Sequence, residues 1–441
     1  ARLCDLSHPF CQCPCCIMLG DLSFLGSGDC WPCMRWKSNA AGRGAALTRK
    51  PAHLPGQKRA EGHLLRLLKF EEDIMVGLPS PLCTVTLYKG KAPVEVLRQR
   101  ICSIVAANPW LAGRLVTDPQ TNKVALWVPA RPLAAPLLVE AAGSINLEEL
   151  AYPELLQLAL QHHVGSGSEC LDTDRPLFRI TVLSSGDGFC LVGSLCHGIA
   201  DGSTYYQIYG MLAPTGSITS LAPERIMSFD TDRVEVMGSD KVDFMNSIGS
   251  FKRPEDEVLL SRVVGIDLEY VEQEKAKAAE EGTWISTNDV VTSLLLRLYQ
   301  ADSGHMMVNF RGRAPNVEAH HAGNYLGAVL LFKEDFEVAT GLRKAVKTLR
   351  ANSAVPANPV RKDWNHHAVT SWVAFHRDIE LPGCELRSHF PILPPLIPST
   401  VIFRPVEGRL CALVNAHPGA HEAMAAHPGI RPWSRSVPPE A

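Results

Sequence analysis

From His63 onward the chain alternates short apolar or period-two stretches with stretches whose apolar positions recur every three or four residues. The first texture predicts strands and the second helices. "LCTVTLY" at 82–88 reads as a strand. "PVEVLRQRICSIVAANP" at 93–109 puts Val94, Leu97, Ile101, Ile104 and Val105 on one helical face, and Pro109 stops it. "KVALWVP" at 123–129 is the next strand, 145–164 is helical in its later part, and "GSGSE" at 165–169 is a turn. "LFRITVLS" at 177–184 and "GFCLVGSLCH" at 188–197 flank a short Gly/Asp turn, which predicts a hairpin.

The second half repeats the mixture. Strands are expected at 261–271, 305–310, 324–332, 368–375, 399–405 and 409–416, and helices at 272–282, 286–300 and 337–353. The helix at 286–300 opens on a serine cap. Each half mixes strands and helices without a literal repeat. The pattern predicts two α/β domains meeting near 215–260, with a cleft between them as the default site.

Composition narrows the class. A chain of 441 residues and 48.2 kDa exceeds one typical core. With 46% apolar residues, 20% charged residues, 33 Gly and 32 Pro, it is folded and loop-rich. A net charge of -3 gives no reason to expect nucleic acid or an anionic membrane as partner. No apolar run is long enough for a spanning helix, and no secretory signal is seen, so a cytoplasmic location is expected.

The 14 cysteines are unevenly placed: seven lie within the first 33 residues. Cys13-x-x-Cys16 and Cys30-x-x-Cys33 have the form of two chelating turns that can enclose a tetrahedral zinc. Their separation is tight, and Cys4, Cys11 and Cys15 blur the pattern. From Met34 to residue 60 every charged side chain is basic, in an Ala/Gly/Pro-rich background. Residues 1–60 are therefore expected to be a poorly ordered extension outside the working fold, with no metal needed by the rest.

Candidate chemistry lies in "SLCHGIADGSTYYQIYG" at 194–210. His197 ends an apolar strand, which can aim its ring into a cleft, and imidazole suits a general base. Asp201 can either orient that ring or make a buried ion pair. Ser203 and Thr204 are placed to cap a following helix. Cys196 adjoins His197, but neighbours on a strand point to opposite faces, which argues against a Cys/His nucleophilic pair.

"HGIADG" resembles the HxxxDG signature of the chloramphenicol-acetyltransferase-like superfamily, particularly its BAHD and trichothecene-type acyltransferases. Three further segments agree in order: "IVAANPWLAGRL" at 104–115, "VNFRGRAPNVEAHHAGNYLG" at 308–327 and "VTSW" at 369–372. The resemblance spans roughly 65–416. It implies two acyltransferase domains of mixed sheets flanked by helices, 61–225 and 226–441, with a channel between them.

The resemblance also implies an activity: transfer of an acyl group from an acyl-CoA co-substrate to a hydroxyl, less readily an amine, of a small metabolite. His197 is then the base, and Asp201 is mainly structural, paired with Arg311 or Arg313 and with Arg311 preferred. Thr370 and Trp372, two apart on a strand, become candidates to contact the acceptor or the developing oxyanion. Asn324 becomes a turn-pinning residue. No permanently bound cofactor is implied, and the expected state is a monomer.

Two departures matter. The plant-type DFGWG signature is absent, with Asp378 only near its place. Cys196 stands where condensation domains carry the first of two histidines. Loops at 215–260 and 354–367 are expected to shape the pocket. The competing readings are a catalytically silent relative that only binds, and a metal-binding protein acting through its cysteine-rich start.

Overall fold

The computed structural model describes residues 61–131, 137–142, 150–248, 258–349 and 365–433. The 1–60 extension, with the zinc reading of Cys13, Cys16, Cys30 and Cys33, lies outside these residues, as do positions 249–257 of the first expected loop and 354–364 of the second.

The first half runs β1 (Gly62–Arg66), a single π turn at Glu71–Met75, β2 (Leu82–Lys89), α1 (Val94–Ala107), β3 (Arg114–Thr117), β4 (Val124–Pro129) and β5 (Leu138–Ala142). It continues with α2 (Tyr152–His162), the short α3 (Gly167–Cys170), β6 (Phe178–Ser185), β7 (Gly188–Leu195) and α4 (Gly202–Gly210). Next come α5 (Phe229–Met237), α6 (Ser239–Ile248), β8 (Leu260–Ile266), α7 (Leu268–Glu280), α8 (Thr287–Leu298), β9 (Ser303–Asn309) and β10 (Leu326–Phe332). The chain closes with α9 (Lys333–Phe336), α10 (Ala339–Thr348), β11 (His366–Ser371), β12 (Glu385–Pro391), β13 (Ser399–Phe403), β14 (Cys411–Ala416), α11 (Pro418–Ala425) and β15 (Ile430–Pro432).

These strands form two main mixed sheets. One has the order β12-β2-β7-β6-β5, and the other β10-β9-β11-β13-β14-β8-β15. A small sheet, β1-β4-β3, completes the set. β5 runs parallel to β6, and β11 runs parallel to both its neighbours. β12, from late in the chain, pairs antiparallel with β2 and so joins the sheet of the first half.

β2 is buried along almost its whole length because both its faces are covered. Cys83, Val85 and Leu87 share a core with Leu155, Leu156 and Ala159 of α2 and with Val401, Phe403 and Leu413 of β13 and β14. That core therefore joins the two main sheets. Thr84 and Thr86, on the opposite face, bond the α4 tyrosines: Thr84 Oγ1 lies 2.5 Å from Tyr205 Oη and Thr86 Oγ1 lies 2.5 Å from Tyr209 Oη. Gly193 of β7 makes this fit possible, since a Cβ there would sit 2.7 Å from both tyrosine side chains. His389 of β12 completes the anchor, with Nδ1 2.8 Å from Thr86 Oγ1 and Nε2 2.8 Å from Tyr206 Oη. Each such buried bond contributes about 1 kcal/mol net, and breaking one leaves a larger penalty.

Several element ends differ from the pattern-based expectation. The strand expected at 261–271 stops at Ile266, because the Asp267 carboxylate accepts the Tyr270 N–H and starts α7. "GSGSE" is the capped start of α3 rather than a plain turn, with Ser166 accepting the Glu169 N–H. β11 ends at Ser371 instead of 375. No helix among the described residues is long and apolar enough to cross a membrane.

Candidate active site

His197 sits just beyond the end of β7, in the turn that leads to α4. Ser203 and Thr204 do not cap that helix. Asp201 does, its Oδ1 accepting the Thr204 N–H at 2.9 Å. A carboxylate at this position also suits the positive end of the helix dipole. Its Oδ2 accepts from Arg311 Nη1 at 2.7 Å and from the Tyr325 N–H at 3.1 Å. Of the two arginines suggested by the motif, Arg311 is thus the partner.

The Arg311 guanidinium is used on every side. It also donates to the carbonyls of His321 and Gly323, to Asn309 Oδ1 and to Thr204 Oγ1, at 2.9–3.1 Å. Both members of the pair are nearly out of solvent contact. A buried pair whose remaining donors and acceptors are satisfied escapes most of the usual desolvation penalty.

A second buried pair lies beside the first. Glu71, from the π turn, meets Arg225 Nε at 2.8 Å, and both side chains are fully buried. Arg225 donates to the Ile199 carbonyl at 2.9 Å and the Ala322 carbonyl at 3.1 Å. Glu71 Oε1 accepts the backbone and side-chain N–H groups of Asn324 at 2.9 and 3.1 Å. Asn324 Nδ2 in turn donates to the His197 carbonyl at 2.9 Å. Asn324 therefore pins the turn that carries His197 as well as its own.

Between them, the two ion pairs lock 197–201 against 322–325. Sequence patterns missed Glu71 and Arg225. In "KFEEDIMV" a glutamate reads as surface charge, and its arginine lies 154 residues away.

The His197 ring is half-buried, and its Nδ1 has no hydrogen-bond partner. Burial holds its pKa below the ordinary value, while the Asp201 charge and the Asn324 side chain oppose that shift more weakly. A neutral imidazole results, with a nitrogen able to take up a proton. Cys196 is turned away toward Cys170. That neighbouring thiol, together with burial, pushes the Cys196 thiol well above its usual pKa, so it is no thiolate nucleophile.

Thr370 is half-buried on β11. Trp372 follows the strand rather than continuing it, its N–H donating to the Ile402 carbonyl at 2.8 Å. The expected shared strand face therefore does not carry Trp372. Its indole instead abuts the start of α4: a Cβ on Gly202 would lie 3.4 Å from Trp372 Nε1, and the Tyr206 ring meets it edge-on.

A cavity of about 560 Å³ opens along the α4 flank formed by Ser203, Tyr206 and Gln207. Asn309, Arg311 and Phe375 line it from the second half, and His197 is not among its lining residues. No group of three or more His, Cys, Asp or Glu among the described residues is arranged to hold a metal ion.

No family profile matches this sequence, and no curated protein matches it. Solved structures do. The first condensation domain of the CDA synthetase is 15% identical, with a TM-score of 0.58 over 81% of this chain and 91% of that chain. F. sporotrichioides TRI101, complexed with Coenzyme A and T-2, is 13% identical, with a TM-score of 0.57 over 82% of this chain and 97% of that chain. Polyketide synthase associated protein 5 from Mycobacterium tuberculosis is 16% identical, with a TM-score of 0.57 over the same shares, 82% and 97%. At these identities the likeness concerns architecture: the chain shares the two-domain α/β fold of these solved structures.

Proposed function

We propose that the chain is an acyltransferase that moves an acyl group from an acyl-CoA thioester to a hydroxyl group of a small metabolite. His197 acts as the general base. The observation that carries this reading is the His197 ring: neutral, half-buried, and held by a turn that two buried ion pairs fasten. The CoA bound to the similarly folded TRI101 supports the choice of donor.

In the proposed step the two substrates meet at His197 in a channel between the 61–225 and 226–441 domains. The acceptor oxygen attacks the thioester carbonyl while its proton passes to the ring. Collapse of the tetrahedral intermediate breaks the C–S bond, and the imidazolium returns the proton to the departing thiolate. Asp201 and Arg311 hold the loop and take no proton. Thr370 offers a hydroxyl and Trp372 an indole N–H to the developing oxyanion.

The test is thiol release from a panel of acyl-CoA donors with alcohol and amine acceptors, comparing wild type with His197→Ala. A loss of about 10²–10⁴-fold is expected for removing a general base. Transfer at a near wild-type rate would rule His197 out as the base. A covalent acyl-enzyme with ping-pong kinetics would rule out direct transfer.

A further inference from the structure

Two buried polar atoms in this region have no hydrogen-bond partner, Nδ1 of His197 and Oδ1 of Asn324. They belong to residues already tied together, because Asn324 Nδ2 donates to the His197 carbonyl at 2.9 Å. The second hydrogen of that amide goes to Glu71 Oε1 at 3.1 Å. With both hydrogens committed, the amide cannot be flipped, and Oδ1 is left solely as an acceptor.

The backbone carbonyls of His197 and Ala200 also face the ring and favour its protonated form, the first of them already accepting from Asn324 Nδ2. Both oxygens of Asp201 are taken by Thr204, Arg311 and Tyr325. A buried acceptor without a donor is costly, and so is a buried imidazole nitrogen without a partner. One bond would satisfy both atoms.

We propose that Asn324 is a positioning residue whose Oδ1 accepts the Nδ1–H of His197, fixing the tautomer that leaves Nε2 bare for the substrate proton. The bond is not closed in this structure. The amide is held on both its hydrogens, so the ring is the partner that moves, and catalytic hydrogen bonds commonly tighten only when substrate is in place. When a proton reaches Nε2, Nδ1–H stays where it is and binds Oδ1 more strongly as the ring becomes cationic. The Asn324 side chain already favours the protonated ring. This inference rests on His197 being the base, but its test does not depend on turnover.

The full chain, labelled with ¹⁵N histidine, reports the tautomer and titration of His197, with the signal assigned by its loss in His197→Ala. In wild type the neutral ring is expected to carry its proton on Nδ1. Asn324→Ala removes the acceptor. It should shift the tautomer toward Nε2–H, lower the ring pKa, and reduce kcat about 10- to 100-fold with KM little changed.

Asn324→Asp keeps an acceptor oxygen but loses both donors. It should retain the Nδ1–H tautomer and move the ring pKa upward. A purely structural asparagine predicts the same damage from both variants and no such opposition. A wild-type ring protonated on Nε2 would overturn the proposal, as would two variants that shift the titration in the same direction. If either variant fails to fold, the wild-type tautomer still decides. If His197→Ala transfers acyl groups normally while the ring is an Nδ1–H tautomer held by Asn324, the function fails and this placement survives.

Discussion

Asp201 and Arg311 meet at 2.7 Å with almost no solvent contact, although His197 is only four residues from the aspartate. The carboxylate shapes the loop around the imidazole by holding three separate donors. It acts on the ring only through space, where its charge favours the protonated form against the larger opposing effect of burial.

Asp201→Asn should therefore be chiefly a stability variant. It leaves the Arg311 charge buried without a counter-charge, a defect that costs about 3–5 kcal/mol. Urea unfolding followed by fluorescence measures it. Glu71→Gln should also destabilise, and the double variant should lose less than the two single losses combined, by about 0.5–3 kcal/mol. Both carboxylates grip the 323–325 segment, so the second loss releases a segment already loosened. Strict additivity would show that the two pairs act independently.

Gly323 is the glycine in this region most exposed to substitution. Its φ is +141°, and a Cβ would lie 2.9 Å from the Nε of Arg225, which the Glu71 pair holds in place. Gly323→Ala should cost about 1–3 kcal/mol in backbone strain, with the clash added to it. Gly186 has φ +59° but open space around it, so Gly186→Ala should cost only about 1 kcal/mol. Equal unfolding midpoints for the two variants would contradict this account.

Acid should unfold the protein through a group of imidazoles outside the candidate site. Burial depresses His305 to about 4 and His367 to about 3, and it holds His366 and His389 well below the ordinary value. His305 Nδ1 and His366 Nε2 lie 2.8 Å apart across the β9–β11 pairing, so one of the two must present a bare nitrogen. An unfolded chain titrates these groups near 6.5 and so binds more protons than the folded chain below that pH. The stability they confer is complete above about pH 6.5 and is lost as pH falls toward 4 and then 3. Each group adds a slope of about 1.4 kcal/mol per pH unit in that window. Urea midpoints at pH 7, 6 and 5 should fall in turn, and His305→Gln should flatten the fall. An unchanged slope in that variant would place the acid sensitivity elsewhere.

The sequence made much of the fold and part of the site readable, and the reasons differ from residue to residue. His197 and Asp201 stand four apart in one contiguous motif, and Arg311 lies in a second segment whose order matched. Glu71 and Arg225 carry no local signal. Their importance comes from the burial of both side chains, and only three-dimensional packing reveals it. The strand expected at 261–271 ran too long because apolar alternation continues through Asp267, where a side-chain cap overrides it. β12 was hidden because "ELRSHFP" has a broken alternation. Its register shifts between Leu386 and Ser388, and an edge position tolerates Pro391. His305, His366 and His367 were invisible as a group for a related reason. Parallel pairing of β9 with β11 brings together positions some sixty residues apart.

The placement of β12 also sets a timetable. On the ribosome, β7 is complete at Leu195, but the strand that covers the other edge of β2 is not made until Glu385–Pro391. At about 5–20 residues per second, nearly two hundred residues of synthesis leave that edge open for about 10–40 s. An open edge of this kind recruits foreign strands. The nascent first half therefore carries an uncovered β2 edge through that interval, and truncating the chain between residues 195 and 385 should leave the edge open for good.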